Sequence, residues 1–156
     1  MLWGGIIMNL KKDSSYLLIK INTPENIDFL KEHCDIISKN NYVWFCRFGK
    51  SNVSAKKIDS RDNYIFFKDS KKNNNRIYIA KYEMISSLPN NSLFPKYYNT
   101  ILLNHSLWFK ITHLKEFNYN TLVKNFVTSS TNTNIENVFR SMCSSFYITC
   151  TNNIKI

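Results

Sequence analysis

The sequence predicts an α+β fold: a compact mixed β-sheet or partly open β-barrel of about five to six strands flanked by short helices, one domain over residues 1–156. Two observations carry this. Short runs of aromatic and β-branched residues recur along the chain, and two or three stretches of helical spacing interrupt them. With 44% apolar residues, 15% aromatics and only 3 Gly and 3 Pro in 156 residues, the chain has ample material for one core. Residues 1–15 read as an extension ahead of that domain, because the opening Met1 to Ile7 stretch precedes a second methionine, Met8, and differs from the polar residues after it.

Tyr16 to Ile21 is a short aliphatic and aromatic run, read as the first strand. Thr23 then offers a capping oxygen, Pro24 a preset φ at a first helical position, and Glu25 and Asp28 negative charge near the positive end of a helix. A helix is expected from there to about Ser38, with Ile27, Leu30, Cys34 and Ile37 as its buried stripe and His33 on its flank. Tyr42 to Phe48 reads as a second strand, with Tyr42, Trp44, Cys46 and Phe48 on one face and Gly49 ending it.

Residues 50–62 are polar and basic, with a short helix expected around Val53 to Ile58. Asn63 to Lys68 and Arg76 to Ile85 are expected to form a hairpin whose tip, residues 69–75, combines lysines with asparagines that tolerate left-handed backbone. Pro89 and Pro95 frame a loop, and Leu107 to Leu114 alternates as a further strand. Phe117 to Phe126 reads as a short helix with Leu122, Val123 and Phe126 inward. Another opens at Thr133-Asn134-Ile135-Glu136 and carries Ile135, Val138, Phe139 and Met142, and Phe146 to Thr149 reads as a last strand.

The net charge of +10 is unevenly placed. Residues 1–46 balance five lysines against five acids, whereas residues 47–81 hold ten Lys or Arg against Asp59, Asp62 and Asp69, a local excess of +7. AT-rich codon usage inflates Lys, Asn and Ile without reference to function, yet it does not explain why acids thin out in the same stretch. The pattern points to a polyanion partner, with Arg47, Lys50, Lys56, Lys57, Arg61, Lys71, Lys72 and Arg76 as candidate phosphate contacts.

Catalytic signatures are missing. The histidines, His33, His105 and His113, fall on a helix flank, in a loop and in a strand, and no phosphate-cradling glycine loop, nucleophile elbow or zinc-protease motif occurs. The carboxylates are too scattered for a metal cluster, and neither a cofactor nor a metal is expected. Cys46 lies beside basic residues that could lower a thiol pKa, but a buried structural thiol is the commoner outcome on a strand. Cys34, Cys46, Cys143 and Cys150 include no C-x-x-C pair. With no signal-peptide pattern and no apolar run approaching the ~18 residues of a membrane span, they are expected to stay reduced in a soluble protein of the cytoplasm, or of the nucleus of a eukaryotic or viral host.

The order of strand, helix, Trp-bearing strand, basic crossover, hairpin, then a strand leading into short helices resembles the PUA-like superfamily, especially its YTH and EVE branches, over roughly residues 16–149. The residues that carry the resemblance are Tyr42-Val43-Trp44-Phe45-Cys46, Asn63 to Phe67, Arg76 to Ala80, Leu107 to Ile111 with Leu114 and Phe117, and Arg140-Ser141. That family is similar in holding a modified or flipped base in an aromatic-walled pocket while basic side chains grip the phosphate backbone. The resemblance implies Trp44 as a cage wall and the Cys46 backbone as reader of a base edge. Trp108, Tyr97 and Tyr98 are the candidate second walls, the tyrosines on loop position alone. A base gains ~1–3 kcal/mol per aromatic stack, enough for two walls to offset most of the few kcal/mol that flipping costs. The expected function is therefore a non-enzymatic reader of DNA or RNA. A protein-binding accessory or inhibitor of viral or mobile-element type stands as the alternative, and a metal-dependent nuclease as the third reading.

Overall fold

The computed structural model describes residues 6–47, 63–71, 74–86, 93–100, 107–141 and 143–156. The expected short helix around Val53 to Ile58, and His105, lie outside the described residues. The architecture is mixed α+β: an open seven-stranded sheet with three short helices, and a separate two-stranded pair. In chain order the elements are β1 (Asn9–Leu10), β2 (Ser15–Ile21), α1 (Phe29–Asn40), β3 (Val43–Arg47), β4 (Tyr64–Asp69), β5 (Ile77–Ser86), a 3-10 turn (Lys96–Thr100), β6 (Leu107–Phe117), α2 (Tyr119–Asn125), β7 (Phe126–Thr128), α3 (Ile135–Phe139), β8 (Ser145–Cys150) and β9 (Ile154–Lys155). The sheet runs β3-β6-β5-β4-β2-β8-β7, and β1 pairs with β9.

The central strands are buried on both faces, and this explains their continuous apolar runs. In β2, Leu17, Ile19 and Ile21 join a core with α1, while Tyr16 and Leu18 join a second core with α2 and α3 on the opposite face. β4 splits in the same way, with Ile65 and Phe67 on the first face and Phe66 on the second. β2 and β4 are parallel, with Lys20 opposite Lys68 and Ile21 opposite Asp69. β4 and β5 form the expected hairpin, and β5 continues antiparallel against β6, with register shifts around Tyr82.

Three local expectations change. α1 begins at Phe29 with Asp28 as its cap, whose carboxylate accepts from the Lys31 N–H. Thr23 is buried, and Pro24 to Ile27 instead make a turn in which the Ile27 N–H donates to the Pro24 carbonyl and Asn26 takes a positive φ. The buried stripe is thus Phe29, His33 and Ile37, with Leu30 and Cys34 half-buried beside it. Second, residues 8–10 are not merely an extension: Met8 and Leu10 are buried, and Met8 exchanges backbone hydrogen bonds with Ile156. Third, the sheet has more strands than expected, because β7 adds a short edge after α2.

Asparagine takes the role that glycine would have in a Gly-poor chain. Asn26, Asn41, Asn63 and Asn132 all adopt positive φ, which Asn tolerates better than other residues bearing a Cβ. Asn41 ends α1 this way, its N–H donating to the Ile37 carbonyl. No helix among the described residues is long and apolar enough to cross a membrane.

Candidate functional site

Two regions contain the chemistry singled out from the sequence. The first surrounds β3. Trp44 and Trp108 are only 5% and 3% exposed, Cys46 and Tyr98 are buried, Tyr97 is half-buried, and all belong to or pack on one core. The proposed cage is therefore built from core residues. Trp108 packs against Phe94, and the Phe94 and Tyr98 rings stack 5.7 Å apart.

β3 is an edge strand whose outward N–H groups would have been the ones free to read a base. They are already engaged: the Trp44 N–H donates to the Leu93 carbonyl, and the Cys46 backbone bonds the Tyr98 hydroxyl. The segment around Leu93 to Tyr98 covers this edge. Burial pushes the Cys46 thiol up to about 12, the reverse of the lowering that a nucleophile needs.

His33 anchors the same segment from below. Fully buried, it places Nδ1 2.8 Å from the Phe29 carbonyl and Nε2 2.7 Å from the Tyr98 hydroxyl. A carbonyl only accepts, so Nδ1 carries the proton and Nε2 accepts from Tyr98. Burial drives the His33 pKa down to about 4, so the ring is neutral at pH 7 and acts as a structural link. It is a core residue and not the flank residue expected.

The second region is a cleft of about 660 Å³ outside the carboxyl ends of β2 and β4, on the α3 side of the sheet. Open sheets with parallel strands place ligands at this end, where loops diverge from a rigid base. Four cations line it, Lys20, Lys68, Lys71 and Arg140, against two carboxylates, Asp69 and Glu136.

Lys20 and Lys68 come from neighbouring register positions, and strand alternation puts both on the face of Leu18 and Phe66. Backbone carbonyls hold their heads. Lys20 Nζ donates to Val138 and Ser141, each at 2.7 Å, and to Phe139 at 3.3 Å, which ties β2 to the end of α3. Lys68, 7% exposed, donates to the Asp69 and Asn74 carbonyls and lies 5.5 Å from the centre of the Phe139 ring. Burial lowers both lysine pKa values; Cys143 opposes this at Lys20, and at Lys68 the Asp69 carboxylate opposes it while the Lys20 charge adds to it.

The carboxylates are engaged. Asp69 accepts from the Lys71 N–H at 2.9 Å and from Asn74 Nδ2 at 3.0 Å, which ties both to the end of β4. Glu136 accepts from the Tyr119 hydroxyl at 2.9 Å. Burial, then the bonded and charged Glu136, push the Tyr119 pKa up to about 12, so this hydroxyl stays protonated. Tyr119 and Phe139, their centroids 6.1 Å apart, supply an aromatic wall.

Of the candidate phosphate contacts, Lys71 lines this cleft. Arg76 does not: its guanidinium bonds the Tyr78 hydroxyl and faces Glu116. Arg47 is the last residue of β3, paired with Leu107 on the other side of the sheet order. Lys50, Lys56, Lys57, Arg61 and Lys72 lie outside the described residues. Arg140 and Ser141, singled out by resemblance, do line the cleft, whereas Lys20 and Lys68 were missed. Their signal was a lysine interrupting or ending an apolar strand run, at Ile19-Lys20-Ile21 and Phe67-Lys68.

Among the described residues no three His, Cys, Asp or Glu side chains gather as a metal site would require. No two cysteines are paired: Cys46 and Cys150 are buried, Cys34 half-buried and Cys143 exposed. No family model, curated protein or solved structure matches the chain.

Proposed function

We propose that this chain is a nucleic-acid-binding module that holds the phosphate backbone at the cleft beyond β2 and β4. One observation carries the reading: four cations meet two carboxylates there, and both carboxylates are committed to internal hydrogen bonds. The surplus is positive and faces a concavity, in a chain of net charge +10. The proposal assigns no base to Trp44, because a stacking wall must present a face and that ring is packed. A PUA-like fold remains part of the proposal. Its support is the order of β2, α1, the Trp-bearing β3, the β4–β5 hairpin and β6 leading into α2.

The test is a binding titration of labelled single- and double-stranded DNA and RNA at about 50 and about 200 mM salt. Each neutralised phosphate should contribute a slope of roughly −0.7 to −0.9 in log K against log salt. Absence of measurable binding to all four near physiological salt would overturn the proposal. Recovery of a stoichiometric protein partner free of nucleic acid would then favour the accessory-factor reading.

A further inference from the structure

We propose that the cleft selects a phosphate monoester at the end of a nucleic-acid strand over the internal diesters of its backbone. This rests on the nucleic-acid reading and narrows its ligand.

The geometry is that of a pocket. At about 660 Å³ the cleft lies within the ~300–1,000 Å³ range of small-ligand sites, room for a terminal nucleotide. Its cations converge from three directions: Lys20 and Lys68 from adjacent strands, Lys71 from the hairpin tip and Arg140 from the end of α3.

They divide into two kinds. All three N–H groups of Lys20 are used by the carbonyls of Val138, Phe139 and Ser141, so it supplies field and no bond. Lys68 uses two of three and keeps one donor, while Lys71 and Arg140 bring side-chain donors from exposed positions. Like charges placed side by side and partly withdrawn from water favour the ligand with most negative charge per unit of volume. A monoester carries about −1.5 to −2 near pH 7 and three acceptor oxygens, against a single charge on a diester. Phe139 and Tyr119 would flank the sugar or base attached to it.

The experiment compares one single-stranded sequence in four forms: 5′-phosphorylated, 3′-phosphorylated, with both ends dephosphorylated, and ligated into a circle. One phosphorylated linear form should bind about tenfold more tightly than the dephosphorylated and circular forms, the factor expected from one charge-assisted hydrogen bond, and the arm that gains identifies the strand end. The double variant Lys71→Ala, Arg140→Ala, with melting checked against the parent, should lose that preference while retaining a weaker, salt-dependent affinity. Equal binding of all four forms, or a preference that survives the double variant, overturns this inference and leaves the backbone-binding reading standing. No binding in any form overturns both.

Discussion

The β3 edge and the cleft beyond β2 and β4 both set polar groups among aromatic rings, and they handle them oppositely. At the β3 edge every polar group discussed has a partner: His33 bridges Phe29 and Tyr98, and the Trp44 and Cys46 backbones bond the covering segment. The network is neutral and closed, which is how a core accommodates polarity at little cost. In the cleft the backbone carbonyls satisfy lysine heads without neutralising them, so net charge persists beside open space. Satisfied hydrogen bonds and satisfied charge are separate conditions. Lys20 in the cleft meets the first and leaves the second unmet.

The sharpest challenge to this contrast is Trp44→Ala. Truncating this packed ring should cost about 3–5 kcal/mol in denaturant unfolding while the affinity of the remaining folded protein for oligonucleotides stays unchanged. A stable variant with lost binding would reverse the two assignments and restore the cage at Trp44.

The closed network also makes a pH prediction. His33 has a folded-state pKa near 4 and an ordinary value of 6.5, so between these limits the unfolded chain binds the extra proton. The contribution is therefore fully present above about pH 6.5 and falls away toward pH 4, by about 3 kcal/mol in all. Urea unfolding from pH 7 to pH 4 should show that slope, and His33→Gln should flatten it even if the variant is less stable throughout.

On the cleft side, Arg140→Ala should weaken binding to every oligonucleotide sequence alike and reduce the salt slope by about one contact, read from the same titrations. A sequence-selective loss would mean that Arg140 reads bases. The smallest effect is expected at Asn134, whose side chain accepts from the Glu136 N–H and caps α3. Asn134→Ala should cost about 1 kcal/mol, and because α3 carries Glu136 and Phe139 and is followed directly by Arg140, it should also modestly weaken binding.

Much of the fold was legible because strand chemistry is local. The runs at Tyr16 to Ile21, Asn63 to Lys68 and Leu107 onward became β2, β4 and β6, and the asparagine-rich tip joined a hairpin as expected. The start of α1 was misplaced because Thr23 and Pro24 present good capping chemistry that burial of Thr23 and the positive φ of Asn26 override. β1 escaped notice because a two-residue strand has no periodicity and exists only through its pairing with β9.

The site divides along the same line. By itself the sequence determined an α+β chain with a basic bias, the hairpin that carries Lys71, and the start of α3 near Asn134, since composition, turn chemistry and capping act over a few residues, whereas the early end of α3 that leaves Arg140 just beyond Phe139 did not show in it. Only tertiary structure decided that Trp44 is core and that Lys20, Lys68, Lys71 and Arg140 share one cleft. These depend on which strands become neighbours. The parallel pairing of β2 with β4 joins residues nearly fifty positions apart, and long-range pairing is set by burial of both sheet faces rather than by any local signal.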